Sequence, residues 1–336
     1  MRLGVLDVGS NTVHLLVVDA HHGAPPLSQT SEKSVLRLAE QMDDRGKITR
    51  EGADHLIRTV RDAVTSASAL GCEDLIAFAT SAVRDASNAG AVLSRVHTET
   101  GVELEVLSGE QEAILTFLAV RRWCGWSAGR LLMVDVGGGS LEIAVGIDEE
   151  PDVAVSLPLG AGRLTRTWLT NESPRRRELE SLREHLAEQL EEPARKLREA
   201  GVPDRVVGTS KTIRSLARLS GAAPSSAGPR VRRTLTDAGL RQVISFISRM
   251  SADDLAELEG VSASRAHQLV AGALVVQAAM SALGVSEMDL CPWALREGVI
   301  LRKLDWLDWL DGIDRTAQLT RRPPRRTGRM VARGAR

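Results

Sequence analysis

Leu131-Leu-Met-Val-Asp135-Val-Gly-Gly-Gly-Ser140-Leu-Glu-Ile-Ala-Val-Gly-Ile147 is an apolar run ending in an aspartate, a turn of small residues and a second apolar run. Branched and apolar residues on both sides of a Gly-Ser turn read as the two strands of a hairpin. The same order of residue types occurs near the N-terminus as Leu3–Asp7, then Val8-Gly9-Ser10-Asn11-Thr12, then Val13–Asp19. The Asp-Val-Gly triplets begin at Asp7 and Asp135, an offset of 128. A second echo, Ala79-Thr80-Ser81 against Gly208-Thr209-Ser210, recurs at an offset of 129. Each copy ends a strand-like run (Asp74–Phe78, Arg205–Val207) and precedes a helical segment with an early arginine, Arg84 or Arg214. Two landmarks at nearly one offset predict a duplicated unit, a hairpin followed by a strand and a helix.

The segments between these landmarks read as helices. Gly52–Leu70 places Leu56, Ile57, Val60, Val64 and Ala67 at helical spacing, and Gly109–Trp123 does so with Ala113, Leu115, Phe117, Leu118 and Val120. Glu178–Ala200 carries Leu179, Leu182, Leu186, Leu190 and Leu197 on one face, with Pro174 near its start. Strands alternate with helices, so the fold class is α/β. Gly125, Ser127 and Gly129 cluster within Cys124–Gly129 and mark the connection between the halves. The expected organisation is therefore one domain over residues 1–124, a second over 125–310, and a disordered tail over 311–336, where periodicity gives way to Pro, Gly and Arg.

Composition narrows the function classes. The chain has 336 residues, 43% apolar and 26% charged, enough for two domains with real cores. Aromatic residues are 3% and there is no Tyr, which removes stacking on aromatic platforms as a way to hold nucleic acid. The net charge of −1 hides seven arginines in residues 321–336; without them 36 basic residues face 44 acidic ones. Three cysteines, Cys72, Cys124 and Cys291, lie at no metal-ligand spacing and point to a reducing, cytoplasmic setting. No signal peptide is visible, and the low-polarity run Leu269–Val285, 17 residues broken by Gln277, reads as a buried core helix rather than a membrane span. Segments near Val270–Leu283 and Val299–Leu310 are also apolar enough for a homodimer contact, while Trp306 and Trp309 read as core.

An aspartate closing a buried strand, followed at once by a small-residue turn, sets a carboxylate beside free backbone N–H groups that a phosphate can approach closely. Gly9, Ser10, Asn11 and Thr12, and Gly137, Gly138, Gly139 and Ser140, would cradle phosphates from opposite sides of a cleft. Asp135 and Glu142, together with the equivalent Asp7, are candidates to hold Mg²⁺ or Mn²⁺, directly or through water, because Glu142 returns toward Asp135 on the second hairpin strand. Arg84 either clamps a phosphate or pairs with Asp85. Glu110 and Glu112, in Ser108-Gly-Glu-Gln-Glu-Ala113, read from spacing alone as charges favoured in the first turn of a helix. His14 lies in a buried-looking strand and reads as a satisfied core residue. The absence of HExxH, Gly-x-Ser-x-Gly and Walker A patterns leaves zinc proteolysis, acyl transfer and P-loop chemistry without support.

Taken in order, Asp7–Thr12, Ala79–Arg84, Ser108–Ala113, Asp135–Glu142, Leu157-Pro-Leu-Gly-Ala-Gly-Arg-Leu-Thr165 and Ala294-Leu-Arg-Glu-Gly298 resemble the Ppx/GppA family of exopolyphosphatases and guanosine pentaphosphate phosphohydrolases, over about residues 1–303. The compact form is similar to the short exopolyphosphatases of actinobacteria. The resemblance implies the actin/Hsp70/sugar-kinase superfold, two ribonuclease-H-like halves around an interdomain cleft. It implies hydrolysis of the terminal phosphoanhydride of inorganic polyphosphate to orthophosphate, with a metal ion and a water activated by Glu112, Glu110 being the lesser candidate because Gln111 takes the position of the usual paired acid.

Asp135 and Glu142 match the acidic, Mg²⁺-associated positions, and the two turns and Arg84 match phosphate contacts. Ser210 and Lys211 are further phosphate-contact candidates. Lys211 stands where the family often has an open Gly-x-x-Gly-Thr turn, and its long cation either adds a phosphate contact or obstructs a nucleoside. Guanosine or adenosine nucleotides are accordingly substrates or inhibitors to be tested. A guanosine pentaphosphate phosphohydrolase and a catalytically idle phosphate-binding regulator are the alternative functions.

Overall fold

The computed structural model describes residues 1–21, 25–26, 28–171 and 173–306. The arginine-rich segment 311–336, Trp309 and Leu310 lie outside them.

The first half contains β1 (Arg2–Val8), β2 (Thr12–Asp19), β3 (Ser28–Val35), α1 (Arg50–Ala69), β4 (Asp74–Ala79), α2 (Ser81–Arg84), α3 (Ala89–Thr100), β5 (Glu105–Val106) and α4 (Gly109–Cys124). The second contains β6 (Leu131–Val136), β7 (Leu141–Gly146), β8 (Val153–Leu157), α5 (Ala161–Trp168), α6 (Arg176–Glu199), β9 (Arg205–Gly208), α7 (Lys211–Leu219), β10 (Thr234–Thr236), α8 (Asp237–Ile247), α9 (Ala252–Ala256), α10 (Leu269–Leu283) and β11 (Glu287–Leu290), and residues 295–306 are helical.

Strand order carries the duplication. The first sheet runs β3-β2-β1-β4-β5 and the second β10-β11-β9-β6-β7-β8. In each, three strands form an antiparallel meander (β1–β3, β6–β8) and the next strand pairs parallel to the first of them, β4 on β1 and β9 on β6. The expected α/β class and duplicated ribonuclease-H-like architecture are both present. β3 was not legible beforehand: Ser-Gln-Thr-Ser-Glu-Lys-Ser-Val has no apolar alternation, and it forms because an exposed edge strand needs only the backbone ladder of β2.

Period-two alternation explains why the sheets are covered on both faces. Leu6 and Val8 turn toward the core under α1 and α3, whereas Leu3 and Val5 turn to the opposite face. In β6, Leu132, Val134 and Val136 face the large core with α5, α6, α7, α8 and α10, and Leu131 and Met133 face the other way. Those second faces are covered by an exchange between halves. Phe117 and Val120 of α4 pack on Leu131 and Met133, and Val299 and Ile300 of helix 295–306 pack on Leu3, Val5 and Phe78. Burial of each such side chain contributes about 1.5–3 kcal/mol, so the exchange ties the two halves together.

Two sequence expectations need correction. Trp306 is 50% exposed, its ring lying 5.0 Å under the Lys303 ammonium, and it borders a cavity with Ile76 and Phe78 rather than filling the core. α10 is enclosed in the second core, with Val270, Leu274 and Val275 buried, so its apolar surface is used inside the chain and is not free for a partner. The stretch Ala263–Leu283 is long and apolar enough to cross a membrane by composition, and 67% of its most apolar window is buried within the fold.

Candidate active site

Both small-residue turns close in the same way. Gly9 N donates to Thr12 O at 3.0 Å, and Gly137 N donates to Ser140 O at 2.9 Å. The turns then face each other. A Cβ placed on Gly138 would lie 3.0 Å from Asn11 Nδ2 and 3.3 Å from Ser10 Cβ, so a side chain there would press on the first turn. Ser10 Oγ and Ser81 Oγ are 3.1 Å apart, which brings the start of α2 to the same place. Ser210 caps α7 by accepting from Ile213 N at 3.2 Å.

Between these elements lies a cavity of about 400 Å³ lined by Gly9, Ser10, Asn11, Thr12, Gly137, Gly138, Ser140, Ser210 and Lys211, by Asp7, Glu112, Asp135 and Glu142, and by His14. His14 is therefore not a core residue: half-buried, it borders the cleft and meets Ser31 Oγ at 2.5 Å. Two expected contacts are not on the cavity wall. Gly139 is covered by Ser81 and Gly160. Arg84 turns behind the wall, where Nη1 donates to Glu112 Oε1 and to Leu107 O, the latter at 3.0 Å, and Nε donates to Asp85 at 3.3 Å.

The acidic end is built by register and by a helix cap. Asp135 lies directly opposite Glu142 in the β6–β7 pair, and Glu142 Oε1 accepts from Ser156 Oγ at 2.9 Å. Ser108 and Gln111 form a capping box: Ser108 Oγ accepts from Gln111 N, and Gln111 Oε1 accepts from Ser108 N. Gln111 thereby serves the cap at the surface, Glu110 stays exposed, and Glu112 turns inward and is buried. Gly109 allows this turn to sit against β8, since a Cβ there would lie 2.4 Å from Ser156 Oγ.

Burial pushes all four carboxyls up. Glu112 reaches about 7, burial outweighing the opposing charge and hydrogen bond of Arg84. Asp135 reaches about 6, burial outweighing Arg214 and Arg265. Glu142 is raised well above the usual range by burial and then by the charges of Glu112 and Asp135, and Asp7 is raised by burial against Arg296 and Arg265.

The cavity is also lined by cations. Lys33, Arg214, Arg265 and Arg296 join Lys211 on the cavity, and none of the five pairs with a carboxylate among the described residues. Lys211 is pushed down by burial and by Lys33, Arg265 and Arg214, as expected of cations crowded together without an anion. Sequence reading missed Lys33 and Arg265, and it quoted Arg296 within the Ala294–Gly298 motif without giving it a role. Arg214 had a signal, as the repeat counterpart of Arg84.

Among the described residues no three His, Cys, Asp or Glu form a ready-made metal cage. Asp7, Asp135 and Glu142 are nevertheless desolvated, on the cavity, and without an ion pair. That donor set fits a small hard divalent cation held by one or two carboxylates and completed by water and phosphate oxygens.

The profile of the Ppx/GppA phosphatase family matches residues 16–307. The chain belongs to the Ppx/GppA phosphatase family. Among Ppx/GppA relatives, Exopolyphosphatase 1 of Mycobacterium tuberculosis is 65% identical over 305 residues, 91% of this chain and 89% of the relative. The guanosine-5'-triphosphate,3'-diphosphate pyrophosphatase of Vibrio parahaemolyticus is 26% identical over 304 residues, 90% of this chain but 59% of that longer protein. The crystal structure of an exopolyphosphatase from Cytophaga hutchinsonii has the same fold, with a TM-score of 0.82 at 24% identity over 91% of this chain and 98% of that one.

Proposed function

We propose that this Ppx/GppA protein is an exopolyphosphatase that hydrolyses the terminal phosphoanhydride of inorganic polyphosphate and releases orthophosphate. One observation carries the reading: a single cavity is lined both by four buried carboxyls and by five cations that pair with no carboxylate among the described residues. A substrate that is anionic at every unit satisfies these cations, and only its last phosphate needs to reach the acids. The 65% identity to a protein named Exopolyphosphatase 1 supports the same substrate.

Phosphoryl transfer asks chiefly for in-line positioning and for neutralisation of the oxygens of the transferred group. Backbone N–H groups of Ser10, Asn11, Gly138 and Ser140 supply fixed donors that need no reorganisation, and Lys211, Arg214 and Arg265 hold the chain behind the scissile bond. Glu112 accepts a proton from the attacking water as the new P–O bond forms and the bridging P–O bond breaks, the shortened chain leaving as the anion. Asp135, Glu142 and Asp7 would hold a divalent cation, for which we propose Mg²⁺ with Mn²⁺ as the alternative, and when bound it supplies charge neutralisation at the phosphate oxygens. The unpaired cysteines support a cytoplasmic setting, and the half-exposed Trp306 supports a homodimer contact at that helix end.

The test is orthophosphate release with Mg²⁺ from short polyphosphate, long polyphosphate and guanosine pentaphosphate in parallel. Release from polyphosphate is expected. Release from the nucleotide alone would move the assignment to a guanosine pentaphosphate phosphohydrolase, for which the Vibrio relative is the precedent.

A further inference from the structure

Asp85 is shared by two arginines from opposite halves of the chain. Its Oδ1 accepts from Arg84 Nε at 3.3 Å, and its Oδ2 accepts from Arg163 Nη2. Arg163 belongs to α5, whose first turn is fastened to the second glycine turn: Ala161 N donates to Gly137 O at 2.9 Å, Arg163 N to Gly138 O at 3.0 Å and Arg163 Nε to Gly139 O at 3.0 Å. Arg84, on the other side of Asp85, grips Glu112. A continuous chain of charge-assisted hydrogen bonds therefore runs from the Gly137–Gly139 backbone through Arg163, Asp85 and Arg84 to the Glu112 carboxylate.

As a stability element this chain is weak. The Arg163 and Asp85 side chains are 33% and 35% exposed, and pairs of that exposure are screened and contribute little. Its geometry serves positioning instead. Arg84 offers a planar fork, and with Nε fixed by Asp85 its Nη1 can meet only one direction, that of Glu112 and Leu107 O. Arg163 holds the other oxygen of Asp85, so the carboxylate is fixed between two cations. Arg163 is itself fastened to the second turn, which sits against Ser10 and Ser81 of the first half.

We infer that Asp85 and Arg163 are positioning residues that couple closure of the Gly137–Gly139 turn over the phosphate to the orientation of Arg84 and Glu112. The inference rests on the phosphohydrolase reading above. Closure registers on the base through a guanidinium relay, so an open cleft leaves Glu112 misaimed and the attacking water unplaced.

The test is a double-mutant cycle with Asp85→Asn, Arg163→Gln and the combination, assayed with polyphosphate and Mg²⁺, together with Arg163→Lys and thermal midpoints for all variants. Each single change is expected to lower kcat roughly 10- to 100-fold, the scale of a misplacement of about 1 Å, with KM changed less than about threefold. The double variant should be no worse than the poorer single one, and Arg163→Lys, which keeps the charge but not the fork, should recover only part of kcat. Thermal midpoints should move by no more than a few degrees. Additive losses, a rise in KM at constant kcat, or loss of kcat only in step with a lowered midpoint would overturn the inference. Wild-type protein that turns over no phosphoanhydride would instead overturn the reading it rests on.

Discussion

Gly139 and Ser81 come from opposite halves of the chain, and a Cβ added to Gly139 would lie 2.2 Å from the Ser81 Oγ and 3.2 Å from the Ser10 Oγ. On its other side the same glycine meets Gly160, where a Cβ would lie 2.2 Å from the Gly139 carbonyl carbon. The second turn is thus held between two walls that leave no space for a methyl group. Gly139→Ala should force the turn from the first half, costing about 1–3 kcal/mol of stability as overpacking does. Turnover with polyphosphate should fall on the order of 100-fold through misplacement of the donors. Urea unfolding and steady-state kinetics on one preparation check both; full activity would mean that the two turns do not close on the substrate.

Glu112 is the inward acid of a helix whose cap is completed by Gln111. Glu112→Gln keeps the shape and removes the proposed base, so kcat should fall by about 10²–10⁴ with KM little changed. Only the ionised carboxylate accepts a proton. With Glu112 raised to about 7, kcat/KM of the wild type should climb as pH rises through that region, and the limb should move to lower pH as Mg²⁺ increases. A Gln variant that retains both the rate and the limb would remove Glu112 from the mechanism.

The two turns were legible in the sequence because everything that defines them is local: an apolar strand, an aspartate and residues small enough to turn. Duplication was legible for the same reason, since two such landmarks recur at nearly one spacing. The cationic lining was not. Lys33 sits on a polar edge strand and Arg265 on a short turn before α10, each one of 43 basic residues with no local mark, while Arg296, at the start of the last described helix, lay in the Ala294–Gly298 motif with nothing local to aim it at the cleft. The exchange of α4 and helix 295–306 between the sheets, with the contact of the two turns, brings the halves to the relation in which these cations reach the cavity of Asp7 and Asp135. The inward turn of Glu112 was half legible: Ser108-x-x-Gln111 is a capping signature, and it assigns Gln111 to the surface.

The buried acids should make stability depend on pH in an unusual direction. A carboxyl whose folded pKa exceeds its unfolded value keeps a proton that the unfolded chain has released; its contribution is complete below the unfolded value and is lost as pH rises through the folded one. Asp135 rises from 3.8 to about 6 and Glu112 from 4.5 to about 7, so the window runs from about pH 4 to 7, and a shift of this size corresponds to on the order of 3 kcal/mol for Asp135. Metal-free protein in chelator should therefore melt higher at pH 5.5 than at pH 8. Asp135→Asn should narrow that difference by about 1 kcal/mol, because most of the Asp135 window lies below pH 5.5, and Mg²⁺ should raise the midpoint at pH 8 far more than at pH 5.5. A midpoint that climbs steadily from pH 5.5 to 8 in chelator would contradict the desolvated-acid picture.

Arg121 is the largest fully buried side chain of the fold, 1% exposed, and no carboxylate pairs with it among the described residues. Its guanidinium donates to three carbonyls: Gly125 O at 3.3 Å, Gly129 O at 2.6 Å and Gly146 O at 3.2 Å, while Nε has no partner. It closes the connection between α4 and β6 onto the end of β7, the joint that fixes α4, and with it Glu112, against the second sheet. Arg121→Met removes the guanidinium, whose Cζ lies 6.0 Å from the Phe117 ring centroid, and takes its donors from Gly129 O and Gly146 O, while Gly125 O keeps Ala128 N at 3.2 Å; the cost is about 1–3 kcal/mol for each carbonyl that neither another donor nor water reaches. Arg121→Lys restores one charge but cannot span three acceptors. Both variants should unfold at lower urea, Met more than Lys, with activity per folded molecule reduced because α4 loosens. Equal stability of Arg121→Met and wild type would show that the joint is held by packing alone.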